Sequence, residues 1–159
     1  MPSTANRVRI ETFVGNRIAL AALFALADES PAAVASYRDS GTLLVAREGS
    51  AAIGLALLIR RDAKQSELKV LAVDPARQGE GLGKRLVEAA VESARREGAK
   101  ILLVSTATAD IRNLRFYQRT GFRMKHVCRE AFTAATGYPD DIQIDGIPLR
   151  DQVVFDREL

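Results

Sequence analysis

Cys128 stands alone in this chain of 159 residues. Without a second cysteine no disulfide can form within the chain, and a cysteine-rich zinc site is excluded. A reducing compartment such as the cytoplasm is the expected setting. An apolar run of membrane length is missing too. The longest, Ala51 to Ile59, is far too short to span a bilayer. Met1 to Arg9 is polar and has no apolar stretch of the kind a signal peptide carries. Charge of one sign is also scarce. The net charge is +3 and the bases are interleaved with acids along the chain, which gives a mixed solvated surface rather than a nucleic-acid patch. Repeats, linkers and low-complexity segments are absent. With 47% hydrophobic residues, a chain of this length can bury the core of one domain, expected over residues 1–159.

What is present alternates between strand-like and helix-like segments. Val8 to Phe13 alternates apolar and charged residues and predicts a strand. The alanine- and leucine-rich stretch Arg17 to Ala27 predicts a helix. Ser30-Pro31 then forms the cap and first turn of a second helix to about Arg38, ended by Gly41. Thr42 to Arg47 and Ala51 to Arg60 read as strands joined by the turn Glu48-Gly49-Ser50. After a polar turn, Arg61 to Ser66, the strand Glu67 to Val73 ends in four apolar residues, so both of its faces should be covered. A helix opening at Leu82 places Leu86, Ala90 and Ala94 on one stripe and ends at Gly98. Ile101 to Ser105 is a buried strand, and strand–helix–strand in this order is a right-handed crossover between parallel strands. Asp110 caps a helix to Arg119, closed by Gly121, and Phe122 to Arg129 returns as a strand. Tyr138-Pro139 and Asp145-Gly146 mark turns around a short strand, Ile142 to Ile144, before a final strand from Gln152 to Asp156.

The chemistry concentrates in Gln78-Gly79-Glu80-Gly81-Leu82-Gly83. Three glycines in five residues lie between a buried strand and an amphipathic helix. Glycine lets the main chain turn sharply and approach a ligand closely. The helix that follows offers unpaired N–H groups and the positive end of its dipole. Together these make an anion site suited to a diphosphate. No Gly-Lys-Ser/Thr follows, which excludes a Walker loop. The spacing is also not G-x-G-x-x-G, so a dinucleotide fold is unsupported.

The same hexad resembles the Q/R-x-x-G-x-G/A signature of the Gcn5-related N-acetyltransferases (GNAT), with Gln78, Gly81 and Gly83 in its fixed positions. Leu71-Ala72-Val73-Asp74-Pro75 is similar to the stretch that precedes it in that family. Asn113 to Phe122 is similar to the family's N-x-x-x-Y-x-x-x-G-F segment. The likeness is closest over Glu67 to Met124. It implies an α/β GNAT fold: a mixed, mostly antiparallel sheet of about seven strands, flanked by about four helices. A central parallel pair would splay around acetyl-CoA.

The resemblance further implies an N-acetyltransferase that moves acetyl from acetyl-CoA, a co-substrate, to a primary amine by direct attack in a ternary complex, with no metal. The diphosphate would sit on the amides of Gln78, Gly79, Glu80, Gly81, Leu82 and Gly83. The pantetheine arm would pair with Leu71, Ala72 and Val73 and meet Asn113, Phe116 and Tyr117; Asn113 otherwise only steadies its own helix start. The amide of Leu71 would stabilise the oxyanion, an effect typically worth about 3 kcal/mol. Tyr117 would protonate the leaving thiolate. Glu67, four residues before Leu71 and expected on the same face of the strand, is the candidate base, directly or through water. Lys69 on that face predicts solvent exposure for Glu67. His126 is expected to be a partly buried structural residue and Cys128 a packed core thiol.

In the family the acceptor enters opposite CoA, between the first two helices and the segment after the tyrosine helix. Tyr37, Phe132 and Tyr138 are the candidate walls, and Asp140, Asp141 and Asp145 are acids that would draw a cationic amine or else form a solvated loop. A small-molecule amine is expected ahead of a peptide, because the long segment Arg129 to Leu149 suggests a closed pocket. The competing readings are a non-catalytic acyl-CoA sensor, a protein N-terminal or lysine acetyltransferase and a nucleotide-binding regulator. Neither nucleic acid nor membrane is an expected partner. A homodimer is left open, since family members often dimerise.

Overall fold

The computed structural model describes residues 7–159. Residues 1–6, which begin the polar stretch read above and belong to the domain expected over 1–159, lie outside the described residues. Strand β1 (Arg9–Thr12) leads to helices α1 (Ala21–Ala27) and α2 (Pro31–Tyr37). Strands β2 (Thr42–Glu48), β3 (Ala51–Arg60) and β4 (Gln65–Val73) follow as a meander. Then come α3 (Leu82–Arg96), β5 (Ile101–Ala107), α4 (Ile111–Arg119) and β6 (Arg123–Cys128). A small hairpin, β7 (Gln143–Ile144) and β8 (Ile147–Pro148), precedes β9 (Gln152–Glu158).

Seven strands form one sheet in the order β1-β2-β3-β4-β5-β9-β6, and β7-β8 is a separate pair. Every neighbouring pair in the main sheet is antiparallel except β4 and β5. Two apolar layers cover it. On one face α3 buries Leu82, Leu86, Val87, Ala90, Val91 and Ala94 against Leu58, Leu68, Leu102 and Phe155. On the other, Leu20, Leu23, Phe24 and Tyr37 of the N-terminal helical region pack on Leu43, Val45, Leu55, Leu57, Val70 and Ala72.

Three local readings are corrected. Arg17–Leu20 is a 3-10 turn and the α-helix starts at Ala21. Asn16 caps that turn by accepting from the Ile18 N–H, and the tighter winding continues until Leu20 packs. The turn after β3 is shorter than expected, because Asp62 Oδ1 accepts from both Lys64 and Gln65 N–H and starts β4 at Gln65. Burial along β4 alternates instead of covering both faces, with Leu71 and Val73 only half-buried. They face a gap in the sheet.

That gap arises from register. The parallel pairing of β4 with β5 runs from Gln65↔Ile101 to Leu68↔Val104 and stops. Beyond it, β4 stays with β3 as far as Gly54↔Val73, while β5 stays with β9 to Ala107↔Gln152. The two halves of the sheet part as a wedge between the C-terminal ends of β4 and β5. A bulge sits where they part. Leu57 pairs with Val70 and Leu58 with Leu68, which leaves Lys69 unopposed.

Candidate active site

One extra residue in a strand reverses which face its neighbours occupy. Leu68 packs with the α3 layer, and beyond the bulge Leu71 and Val73 pack there too, whereas Val70 and Ala72 pack with the α1–α2 layer. Glu67, opposite Ile59, therefore shares the α1–α2 face with Val70, and the expected shared face with Leu71 is corrected. Its expected exposure is corrected as well. The Glu67 side chain is 13% exposed, because Arg61 ion-pairs with it and Lys69 Nζ approaches to 4.0 Å.

The wedge has free main-chain groups. Asp74 N–H donates to Ile53 O at 2.8 Å, so this residue faces β3. Successive residues in an antiparallel strand aim their N–H and C=O groups to opposite sides. Leu71 and Val73 accordingly turn theirs away from β3, toward the wedge. The Val73 carbonyl is met by Gln78 Nε2 at 3.1 Å, which draws the loop back over the strand end.

The loop starts with Asp74, whose side chain accepts from Ala76 N–H at 2.9 Å and folds Pro75–Arg77 into a 3-10 turn. Arg77 reaches back to Glu48 and Glu80, both at 2.8 Å. These ties hold the loop while its amides stay open. Among the described residues, no hydrogen bond is donated by the main-chain N–H groups from Gln78 to Lys84. Gly81 is the N-cap of α3 with φ 82°, and a Cβ placed there would meet only open space. Conformation rather than crowding calls for glycine at this position. Gly83 is small for a different reason: its Cβ would lie 3.2 Å from Cζ of Phe116.

Helix α4 forms the opposite wall. Asp110 caps it by accepting from Asn113 N–H at 3.0 Å, and Asn113 Nδ2 donates to Thr106 Oγ1 on β5 at 3.1 Å. Asn113 thus ties helix to strand. Tyr117 is 5% exposed, with Phe116, Phe122 and Phe155 around its ring at centroid distances of 5.2, 5.7 and 5.8 Å. Its hydroxyl makes no hydrogen bond among the described residues, although the side chain lines the cavity. Burial, and secondarily the Asp110 charge, pushes the phenol well above its ordinary pKa.

These walls enclose one cavity of about 830 Å³. It takes in the expected residues Glu67, Leu71, Ala72, Val73, Gln78 and Gly79. It also takes in Gly81, Leu82, Gly83, Asn113, Phe116 and Tyr117, and on the far side Tyr37, Phe132 and Tyr138. Glu80 is on the loop but turned to Arg77, which holds its carboxyl below the ordinary range. Asp140, Asp141 and Asp145 are exposed and outside the cavity lining, as a solvated loop would be. His126 is exposed on the edge strand β6 and Cys128 only half-buried at its end, which corrects the buried roles expected for both. Among the described residues, no group of three or more His, Cys, Asp or Glu side chains is placed to hold a metal. No helix among them is long and apolar enough to cross a membrane.

Asp28 was not among the expected residues. It follows α1 and accepts hydrogen bonds from Tyr37 Oη and Tyr138 Oη, both at 2.8 Å. The first partner is nine residues away in the chain and the second 110. Only an aspartate after a helix was visible beforehand, because its partners meet through tertiary folding.

Residues 7–122 match the acetyltransferase (GNAT) family. The uncharacterized N-acetyltransferase YvbK of Bacillus subtilis (strain 168) is 32% identical over 147 residues, 92% of this chain and 94% of its own. A GNAT family acetyltransferase from Elizabethkingia anophelis, solved with acetyl-CoA bound, superimposes with a TM-score of 0.88 at 27% identity. That alignment covers 96% of this chain and 98% of the other. The IAA acetyltransferase from Bacillus cereus ATCC 14579 superimposes with a TM-score of 0.87 at 33% identity, covering 96% of this chain and all of the other.

Proposed function

The chain belongs to the GNAT family of acetyltransferases, and we propose that it transfers acetyl from acetyl-CoA to the primary amine of a small molecule within a ternary complex. The observation that carries this reading is the parting of β4 and β5 beyond Leu68 and Val104. The unpaired strand edge points into the wedge, with free loop amides at one end of it. An extended amide-bearing arm ending in a diphosphate matches both.

Acetyl-CoA supplies an activated thioester when bound. The residues of this chain do the rest. Amides from Gln78 to Lys84, at the positive end of the 15-residue helix α3, hold the diphosphate. Leu71 and Val73 offer the main-chain pairing groups, and the Leu71 N–H is the donor to the thioester carbonyl oxygen. Phe116, packed on Gly83, and Asn113 flank the arm. Tyr117 gives its proton to the departing sulfur; its raised pKa keeps the phenol protonated at neutral pH, and its side chain lines the cavity. Glu67, on the acceptor face, takes up the amine's proton directly or through water. The segment from Arg129 to Leu149 closes over that face, since Tyr138 is tied to Asp28 and Phe132 N–H donates to Arg150 O. A wall on that side of the cavity favours a small amine over a peptide.

The test is a panel of primary amines incubated with acetyl-CoA, following free thiol release and the acetylated product. Turnover of at least one small amine is expected; release of thiol with no acetylated amine refutes the reading. Gly81→Asp adds a side chain at a left-handed residue and a negative charge beside the diphosphate. It should abolish acetyl-CoA binding in calorimetry, and unaltered affinity would place the cofactor elsewhere.

A further inference from the structure

We propose that Asp28 is the group that recognises the acceptor, and that the acceptor carries an ammonium on an apolar or aromatic body. This rests on the acetyltransferase reading above and adds a substrate class to it.

Four carboxylates line this cavity, Asp28, Glu29, Glu67 and Asp110, and Glu48 and Glu80 brace its loop. Glu29, which is exposed, and Asp110, which is committed to capping α4 by accepting from Asn113 N–H, have no ion-pair partner among the described residues. Glu67 is paired with Arg61 and lies near Lys69, and Glu48 and Glu80 are paired with Arg77. Asp28 is half-buried, and among the described residues no cation pairs with it. Its three donors are neutral: Tyr37 Oη to Oδ2, Tyr138 Oη to Oδ1, and Ser30 N–H to Oδ1 at 3.0 Å. A carboxylate offers about four lone-pair sites. Two are used on Oδ1 and one on Oδ2, so Oδ2 retains a free site. A half-buried negative charge held in place but not neutralised is complementary to a cation brought by a ligand.

The surroundings define the rest of that ligand. Tyr37, Phe132 and Tyr138 line the cavity, the last two edge-to-face with ring centroids 5.0 Å apart. Leu26, Ile144 and Leu149 complete an apolar rim. Aromatic faces attract ammonium groups, and Lys69 Nζ already sits 5.1 Å from the Tyr37 ring centroid on the strand side. Tyr117, nineteen-twentieths buried with a hydroxyl that makes no hydrogen bond among the described residues, lines the same cavity and marks it as the chamber for transfer. An amino acid would bring its carboxylate toward Asp28 and the exposed Glu29. An amino sugar would set part of its hydroxyl surface against Leu26, Ile144 and Leu149.

The ammonium at Asp28 is either the reacting nitrogen of a monoamine or the far end of a diamine. In both cases the reacting nitrogen first loses a proton. It then bonds to the acetyl carbon and, as the carbon–sulfur bond breaks, gives up a second proton. That proton replaces the one Tyr117 passes to the departing sulfur, so CoA leaves as a thiol and one proton is released overall.

Steady-state rates with acetyl-CoA decide it, using an arylalkylamine, an α,ω-diaminoalkane, an amino acid, an amino sugar and a short peptide. The first two should exceed the others at least tenfold in kcat/KM. The arylalkylamine leads if Asp28 holds the reacting nitrogen, and the diamine if it holds a remote one. Asp28→Asn should raise the amine KM at least tenfold while leaving the acetyl-CoA KM and the Tm unchanged. Should that variant lose stability, benzyltrimethylammonium on the wild-type protein is the second measurement. It should compete with the amine and not with acetyl-CoA, and phenylpropionate should not inhibit. Preference for the amino acid, amino sugar or peptide, an unchanged amine KM in a stable Asp28→Asn protein, or no inhibition by the quaternary cation overturns this proposal and leaves the acetyltransferase reading intact. Failure to acetylate any amine sinks both.

Discussion

Tyr117 combines a buried ring with a hydroxyl that makes no hydrogen bond among the described residues. Its phenol is raised by burial first and by Asp110 second, so the protonated form, the one that can act as an acid, persists through neutral and moderately alkaline solution. Two outcomes follow. Tyr117→Phe should lower kcat on the order of 100-fold and leave acetyl-CoA affinity nearly unchanged, which steady-state kinetics and calorimetry would separate. The pH profile of the wild-type enzyme should climb as the amine loses its proton. It should show no fall from Tyr117 up to about pH 10, since the shift is upward; a descending limb near neutrality would point to another acid. At this scale the sequence was informative where a motif fixes a position, as for Tyr117, Gly81 and Asn113. It was silent on Asp28, whose partners are far away in the chain, and it misplaced Glu67 because a bulge carries no side-chain signature.

The bulge at Lys69 is an element-scale device. It turns Leu71 and Val73 toward the α3 layer and Val70 and Ala72 toward the α1–α2 layer. Deleting Lys69 would restore an unbroken ladder with β3 and rotate one half of β4 against its cores. The expected result is loss of acetyl-CoA binding together with a clear drop in Tm, measured by calorimetry and thermal melting. Replacing Lys69 with alanine keeps the residue count and should leave binding in place. Most strands and helices were readable from apolar periodicity, cap residues and turn pairs. Arg17–Leu20 departed because the 3-10 and α windings share the same residue preferences there, and only the cap at Asn16 separates them.

Across the whole molecule the sheet is held together by β3–β4 on one side and β5–β9 on the other, and joined only over four residue pairs between them. A ligand that pairs with the open edge adds a bond between the halves. Acetyl-CoA at a hundredfold excess over its Kd should stabilise the fold by about 2.7 kcal/mol. For a chain of this size that corresponds to roughly 5–10 °C in Tm, readable by differential scanning fluorimetry. CoA lacking its diphosphate end should give much less. The parallel crossover was legible beforehand, because strand, glycine loop and amphipathic helix follow one another in the chain. That β4 and β5 part was expected from the resemblance alone, since the apolar residues of β4 read equally well as a fully covered strand, and the point where they stop pairing was not legible.

Two tyrosines from distant stretches of the chain converge on a single aspartate, and that shared anchor constrains how this protein can diversify. A change at Tyr138 that reshapes the loop also releases the hydroxyl bond that steadies Tyr37 through the same carboxylate. Accommodating a bulkier amine therefore calls for coordinated replacements in the helical cap and the C-terminal third, and variants selected for new acceptors should carry them in pairs.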